Sequence, residues 1–478
     1  MYLFSWLFSR YKLSAYNTIV PQGDFYLLHN QISGAMLKLS AKAHAAYQTY
    51  LKSNRLSYKY WKLFATQGIL IPKTTDELQL IADVWGKTVK ENESKSMTIV
   101  TTDRCNLGCS YCYQSKADWH NMHTETQEQL KKFISAYLRG SKTKSFGVVW
   151  FGGEPTLNAG CIENVGKFIV AECKELGIPL SQLAVTNGTT MVPKMAQRLR
   201  ESGLTRLQIT VDGMKDYHDQ LRPYLASLTE EQMNPAQKVQ RVKATGIELP
   251  VLGQPTTKSS SFDDIVQGIT VALEAGFQIS LRINVNAVNQ ESVVAFYHFM
   301  NDKGWFKKHA NGARLTAYTH PVFSGCGDCP TMAKSAHAEF VKTLPQLGAN
   351  PGRTGIRTLS ITGGTCTANK DYQFVINSSG AIIKCWHHAT DDSHALGTID
   401  DLSLATKGTA EVDRYRFNPL LDAECRTCHV LPTCLGGCKQ NNKFDTAGYA
   451  GTKDSGCSTL RWNLPDEIRQ AYETMTQA

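Results

Sequence analysis

The chain reads as an α/β protein built on a parallel sheet, with a small strand-and-helix module before it and a cysteine-rich region after it. Three observations predict this. Between residues 97 and 303, short β-rich runs alternate with runs of helical period, the pattern of parallel strands joined by right-handed crossovers. Residues 24–72 carry short strands and amphipathic helices of their own. Beyond Trp305 the composition changes, and nine of the 14 cysteines lie past residue 320. A chain of 478 residues has room for about three domains, and the expected divisions are 1–95, 96–310 and 311–478.

In the first segment, residues 24–30 and 34–39 read as strands around a turn at 31–33. Residues 41–52 and 57–66 read as amphipathic helices, with Ala45, Tyr47 and Leu51 expected on one face. Gly68 stops the second helix, and residues 69–72 return as a strand. Thr75 is expected to cap a helix running through Asp76, Glu77, Leu78 and Ile81. Together these predict a winged-helix-like module. Residues 91–96 read as a polar linker.

The core follows. Strands are predicted at 97–101, 145–151, 183–186, 207–211 and 279–285. Helices are predicted at 127–139, 161–176, 193–202, 262–275 and 292–303. Residues 224–258 are less regular and read as an insertion near the mouth of the sheet. Ligands of such sheets gather at the carboxyl ends of the strands, and the motifs fall there.

After the first of these strands comes CNLGCSYCY, residues 105–113. Cys105, Cys109 and Cys112 stand in the pattern CxxxCxxC, which turns three thiolates toward one point. A fourth thiolate would close a zinc site or complete an iron–sulfur cube; three leave one metal position open. A zinc knuckle with a fourth ligand from elsewhere is the competing reading. Asn106 and Gly108 suit a tight loop, and Tyr111 places a ring just before the last cysteine.

This loop resembles the cluster loop of the radical S-adenosylmethionine (radical SAM) enzymes, CxxxCxΦC with Φ aromatic. The resemblance implies a partial (β/α)6 radical SAM barrel. It also implies a 4Fe-4S cluster on Cys105, Cys109 and Cys112, with S-adenosyl-L-methionine chelating the fourth iron. Cleavage of the sulfonium would give a 5′-deoxyadenosyl radical that takes a hydrogen atom from an unactivated C–H bond; the cofactors do the hard chemistry. Gly152, Gly153 and Glu154, with Pro155, resemble the family's GGEP motif, which holds the amino group of S-adenosylmethionine. Thr186, Asn187 and Gly188 resemble its TNG. Thr210 and Asp212 sit where relatives have a ribose- or carboxylate-binding Ser-x-Asp-Gly. His218, Asp219 and Arg222 follow like the HDxxR stretch of relatives. Tyr113 is carried over as a cofactor contact. Arg282 is expected either to meet the cofactor carboxylate or to form a salt bridge inside the barrel.

The C-terminal cysteines are Cys326 and Cys329, Cys366, Cys385 at the end of a GxxxxC, then Cys425, Cys428, Cys434, Cys438 and Cys457. The run CxxCxxxxxCxxxC, with Cys366, Cys385 and Cys457, resembles the seven-cysteine signature of the SPASM domain. The gap between Cys366 and Cys385 is longer than the usual pattern. That resemblance implies two auxiliary 4Fe-4S clusters, three clusters in all. Cys425, Cys428, Cys434 and Cys457 would hold the outer one, and Cys366, Cys385 and Cys438 the inner one. Cys329 or Cys326 would supply the inner cluster's fourth ligand, or that position stays open. A separate zinc site or plain structural cysteines are the alternatives. Cys161 and Cys173 lie in a helical pattern and read as buried apolar residues. Trp386, His387 and His388 follow Cys385 and receive no role.

Composition narrows the function classes. No apolar run approaches the ~18 residues of a membrane helix, and residues 1–8 read poorly as a secretory signal. The cytoplasm is therefore the expected compartment. The net charge of +9 is spread without a block, and no nucleic-acid module is evident. The SPASM resemblance implies action on peptides or proteins. The expected function is a peptide maturase that installs a C–C, ether or thioether crosslink in a ribosomally made precursor peptide with a leader, served by an external electron donor of flavodoxin or ferredoxin type. The rivals are an anaerobic sulfatase-type maturase forming formylglycine and a non-catalytic iron–sulfur electron carrier.

Overall fold

The computed structural model describes residues 10–114, 120–140, 142–229, 260–307, 309–322, 330–344, 361, 366–410, 417–438 and 456–477. The first module contains β1 (Tyr11–Leu13), β2 (Asn17–Gln22), β3 (Phe25–Asn30), β4 (Met36–Leu39), α1 (Ala41–Ser53), α2 (Tyr58–Thr66), β5 (Leu70–Pro72) and α3 (Glu77–Val89). β2, β3 and β4 form an antiparallel meander, and β1 pairs antiparallel with β5. β1 and β2 were not anticipated. Helix α1 buries Ala43, Tyr47 and Tyr50, spaced i, i+4, i+7 as one helical face requires. The expected partners of Tyr47 are not buried with it: Ala45, two residues away, is off that face, and Leu51, although at i+4, is 56% exposed. Helix α3 is capped by Asp76, whose side chain accepts from Gln79 N at 3.1 Å, not by Thr75.

The core continues with β6 (Ser94–Thr102), α4 (Thr124–Arg139), β7 (Ser145–Gly152), α5 (Ala159–Leu176), β8 (Leu180–Thr186), α6 (Pro193–Glu201) and β9 (Arg206–Val211). It then runs through α7 (Lys215–Leu221), α8 (Ser261–Glu274), β10 (Gln278–Val285), α9 (Gln290–Asp302), β11 (Arg314–Pro321) and α10 (Lys334–Lys342). Six strands, β6 to β11, lie side by side in chain order and all parallel. This is the partial barrel. β6 starts inside the expected linker, and its Lys95 is buried, reaching Tyr137 O with its ammonium. Burial lowers that ammonium's pKa to about 8. β11 lies beyond the boundary expected at residue 310. The insertion expected at 224–258 falls outside the described residues from 230 onward.

Strand period 2 divides the sheet's two faces. Ile99, Trp150, Ala184, Ile209, Leu281 and Ala317 pack into a core with the helices. The alternate positions Gln208, Thr210, Arg282, Asn284, Tyr318 and His320 line a cavity instead. The cysteine-rich region extends the same sheet. Its β12 (Gln373–Ile376) pairs parallel with β6, followed by β13 (Ala381–Ile383) and β14 (Gly397–Thr398). Helices α11 (Leu402–Lys407), α12 (Ala423–Thr427), α13 (Leu431–Cys434) and α14 (Leu460–Gln477) complete the described chain.

The first module is packed against the cysteine-rich region. Val20 and Leu27 of its sheet share a core with Val430, Leu460, Leu464 and Ile468. Tyr16 and Ile81 pack with Leu431 and Leu435. Gln31 is fully buried between them. Its Nε2 donates to His429 O at 2.6 Å, and its Oε1 accepts from Thr433 Oγ1 at 3.0 Å. Gln31→Ala should leave those two groups unsatisfied and cost about 1–3 kcal/mol. Chemical denaturation should show a lower midpoint, whereas an unchanged midpoint would mean that the interface does not depend on this bridge.

Candidate active site

The cluster loop leaves β6 and is fixed on its far side by the end of α7. Gly108 N donates to Pro223 O at 2.8 Å, Ser110 N to Leu221 O at 3.0 Å, and Leu225 N to Asn106 O at 2.9 Å. Leu107 is buried and bridges to Tyr224. Asn106 also meets the TNG segment: its Oδ1 accepts from Asn187 Nδ2 and its Nδ2 donates to Thr189 Oγ1, both at 2.8 Å. The loop is thus held at both sides by main-chain bonds.

Tyr111 supplies the centre of the site. Its hydroxyl donates to the Asp212 carboxylate, at 2.5 Å from Oδ2. It accepts from Arg222 and from Asn284 Nδ2, both at 2.9 Å. One donor and two acceptor sites are all a hydroxyl has, and all are used. Asp212, at the end of β9, is fully buried. Burial raises its pKa, and the Arg222 charge and the Tyr111 bond act the other way. The rest of the HDxxR stretch is structural in the same manner. His218 Nδ1 accepts from Asp212 N at 3.2 Å, and Asp219 receives Phe262 N at 2.9 Å where α8 begins. Sequence reasoning assigned Tyr111 only a ring and noticed Asn284 only as part of the Arg282 stretch that could meet the cofactor carboxylate. An aromatic position filled by Tyr, not Phe, was the available signal.

The two glycines of GGEP are required by close backbone approach. A Cβ on Gly153 would stand 2.4 Å from Arg104 O, and one on Gly152 2.2 Å from Thr102 O. The strand they crowd is the one that launches the cluster loop: Gly153 N bonds Thr102 O and Glu154 N bonds Arg104 O at 2.7 Å. Glu154 is fully buried. Its Oε1 accepts from Thr156 N, Thr156 Oγ1 and Thr186 Oγ1, and its Oε2 from Asn187 N at 2.6 Å. The carboxylate therefore ties the end of β7 to the end of β8.

These pieces surround one cavity of ≈ 1050 Å³, at the upper end of the about 300–1,000 Å³ of small-molecule sites. Gly152, Gly153, Thr186, Asn187, Thr210, Arg282 and Tyr113 line it, as do all three loop cysteines. Arg282 is held by Asn284 Oδ1 at 3.0 Å and by His320 Nδ1 at 2.9 Å. Among the described residues no carboxylate forms an ion pair with it, so the salt bridge weighed for it is not formed. Its charge faces the cavity.

The C-terminal cysteines reach the same cavity: Cys366, Cys385, Cys434, Cys438 and Cys457 line it. They fall into two electrostatic neighbourhoods. Cys366 and Cys385 feel Cys438, while Cys425 and Cys428 feel Cys434 and Cys457. Cys326 and Cys329 lie outside the described residues. Among the described residues no cysteine is in a disulfide, and Cys161 and Cys173 are buried in α5.

The donor set fits an iron–sulfur cube. Loss of hydration pushes the Cys105 thiol up, and the Cys109 thiol up to about 12; such thiols ionise only beside a cation, which a cluster supplies. A single tetrahedral zinc would draw its sulfurs to within about 3.8 Å of each other, given Zn–S bonds of about 2.3 Å. Among the described residues the group of three ligand atoms within 4.8 Å is His388, Asp391 and His394, not the loop cysteines.

Comparison with known proteins agrees with this geometry. Residues 99–300 match the Radical SAM superfamily. The chain is 22% identical over 375 residues to the serine-type anaerobic sulfatase-maturating enzyme of Bacteroides thetaiotaomicron, covering 72% of this chain and 82% of that protein. It superposes on anSMEcpe with bound AdoMet at a TM-score of 0.57 and 16% identity, covering 79% of this chain and 99% of that one. It superposes on Streptococcus suis SuiB bound to precursor peptide SuiA at a TM-score of 0.50 and 12% identity, covering 93% and 99%. This chain is a radical SAM enzyme with SPASM-like features in its cysteine-rich C-terminal region. The electron-carrier alternative is set aside.

Tyr111→Phe should strip a buried carboxylate, a guanidinium and an amide of a shared partner, costing about 1–3 kcal/mol or more. Urea unfolding of the reconstituted protein measures this. A loss under about 0.5 kcal/mol, the usual range of a surface change, would show that the hydroxyl is not the centre described.

Proposed function

We propose that this enzyme is a peptide maturase that installs a side-chain crosslink, C–C, ether or thioether, in a ribosomally made precursor peptide. The observation that carries the reading is the single cavity shared by the loop cysteines and the C-terminal cysteines. Cys105, Cys109 and Cys112 would hold a 4Fe-4S cluster. Bound together, this cluster and S-adenosylmethionine supply a 5′-deoxyadenosyl radical for hydrogen-atom abstraction. Cys425, Cys428, Cys434 and Cys457 would hold one auxiliary cluster. Cys366, Cys385 and Cys438, with Cys329 or Cys326 or an open position, would hold the other. Crosslinking removes two hydrogens from the peptide, so an electron acceptor beside the substrate suits the chemistry. The first electron would come from a flavodoxin- or ferredoxin-type donor, which the net charge of +9 favours as an acidic partner.

The chain's own residues would position the cofactor. Arg282 offers a guanidinium to its carboxylate. Gly152 and Gly153 expose main chain at the cavity wall, with Thr186, Asn187 and Thr210 beside them. Glu154 and Asp212 act from beneath, fixing the strand ends and the cluster loop. Tyr113 completes the wall and stacks on His387 with ring centroids 5.1 Å apart.

The first module, 1–95, is the proposed leader-binding part. Among the described residues no strand pairs with the outer edge of β4, and an extended peptide adds to such an edge by main-chain hydrogen bonds. SuiB, with its bound precursor peptide, aligns over 93% of this chain. The sulfatase-maturase reading keeps one specific support, the likeness to the Bacteroides protein over 82% of that protein's length. An aldehyde-reactive hydrazide separates the two: a crosslinked peptide stays unlabelled, and formylglycine is labelled.

Two variants test the assignment. Asn30 N bonds Ala35 O, so by antiparallel alternation Lys38 N–H faces the open edge. Lys38→Pro should weaken precursor binding about tenfold while S-adenosylmethionine cleavage persists; unchanged binding by calorimetry returns the module to a scaffold. Glu154→Gln should leave a donor facing a donor, loosen the TNG segment and weaken S-adenosylmethionine binding about tenfold. Wild-type affinity with wild-type coupling to product would remove Glu154 from the cofactor site.

A further inference from the structure

The turn between β13 and β14 carries a cluster that the radical chemistry does not use. His388 ends a 3-10 turn, Trp386–His388, and His394 ends another, Asp392–His394. Asp391 N bonds His388 O at 3.0 Å and His394 N bonds Asp391 O at 3.1 Å, so the main chain folds back on itself. This brings the two imidazoles face to face, centroids 3.7 Å apart and 7° from parallel. The Asp391 carboxylate stands between its neighbours: Oδ2 is 3.2 Å from His394 Nδ1, and Oδ1 accepts from Ser393 N at 3.1 Å and Ser393 Oγ at 2.5 Å. Ser393 Oγ also lies 3.1 Å from His394 Nδ1. One ligand atom from each of His388, Asp391 and His394 falls within 4.8 Å of the others.

We propose that His388, Asp391 and His394 bind one divalent first-row transition metal, with zinc as the test ion. Two imidazole nitrogens and one carboxylate oxygen are a borderline-soft set of the kind zinc takes, with water in the fourth position. Ser393 bonds the second carboxylate oxygen and orients the first, as outer partners of metal ligands do. A tetrahedral shell with bonds of about 2.0–2.2 Å sets its ligand atoms about 3.4 Å apart. The three atoms therefore close inward by up to about an ångström on loading, a motion within reach of side-chain rotation in a turn. Asp392 stays outside the set, engaged by Asn377 and by Ser379 Oγ at 3.0 Å.

The site's place in the fold gives it a task. His388 is three residues from Cys385, and Trp386 and His387 between them line the cavity. A metal here pins the short turns that carry those two rings, so it fixes one wall of the substrate space without touching the reacting atoms. This assignment is independent of which peptide chemistry the enzyme performs.

The test uses full-length protein whose iron–sulfur clusters have been reconstituted anaerobically, then exposed to zinc ion and desalted. Wild type should retain one more zinc per chain than His388→Ala/His394→Ala, at equal iron. Its zinc K-edge spectrum should show a nitrogen and oxygen shell at about 2.0–2.1 Å. Asp391→Asn should weaken retention about tenfold. Should the alanine variant not fold, His388→Gln/His394→Gln preserves bulk and serves the same comparison. Equal zinc in wild type and variant, or a shell dominated by sulfur at about 2.3 Å, overturns the site and leaves an Asp391–His394 ion pair beside packed rings.

Discussion

The site depends on one hydroxyl. Tyr111 sits in the cluster loop, yet its oxygen is bonded to residues from the end of β9, the end of α7 and the end of β10. A buried carboxylate and a buried guanidinium are costly to leave without partners. Sharing one hydroxyl satisfies part of both and fixes where the loop stands above the sheet. The loop cannot shift without breaking charge-assisted bonds in a buried place, where those bonds are strongest.

Around that anchor, the remaining contacts make the strand ends mutually dependent. Gly152 and Gly153 allow β7 to run against the start of the cluster loop, and Glu154 carries the constraint on to the end of β8 through two donors, Thr186 Oγ1 and Asn187 N. The inner face of the sheet is then left to polar side chains around a cavity rather than to a core. Closure of that cavity falls to the cysteine-rich region, which shares the sheet through β12 and is braced from behind by the first module. The first module and the cysteine geometry are therefore linked by packing, since Gln31 of that module touches the segment between Cys428 and Cys434.

Much of the core was legible because its signals are local. The five strands read between residues 97 and 285 were found because each is a β-rich run bounded by breakers, and the motifs lie where such strands must end. What was missed depends on contacts distant in sequence. β11 was not read, although its Leu315 and Ala317 alternate inward, because the change in composition past Trp305 hid a strand that only pairing with β10 reveals. Lys95 read as linker, yet burial and the Tyr137 carbonyl hold it inside β6. Leu51 was expected on the core face with Tyr47, and i+4 spacing allows it, but the buried face runs through Ala43, Tyr47 and Tyr50 and leaves Leu51 exposed. The glycines of GGEP were read as part of a cofactor motif; their nearest constraint is the neighbouring strand. Glu154 and Asp212 were read as ligand contacts, and no sequence pattern shows that both carboxylates are already engaged by the protein.

The central claim is that Cys105, Cys109 and Cys112 hold a cluster at which S-adenosylmethionine is cleaved. The most direct measurement is 5′-deoxyadenosine formed by the anaerobically reconstituted, chemically reduced protein. Wild type should produce it. Cys109→Ala should produce essentially none while retaining about two thirds of the iron, four irons having been lost of about twelve. A fully iron-loaded wild type that forms no 5′-deoxyadenosine, or a Cys109→Ala variant that forms it at the wild-type rate, would contradict the account.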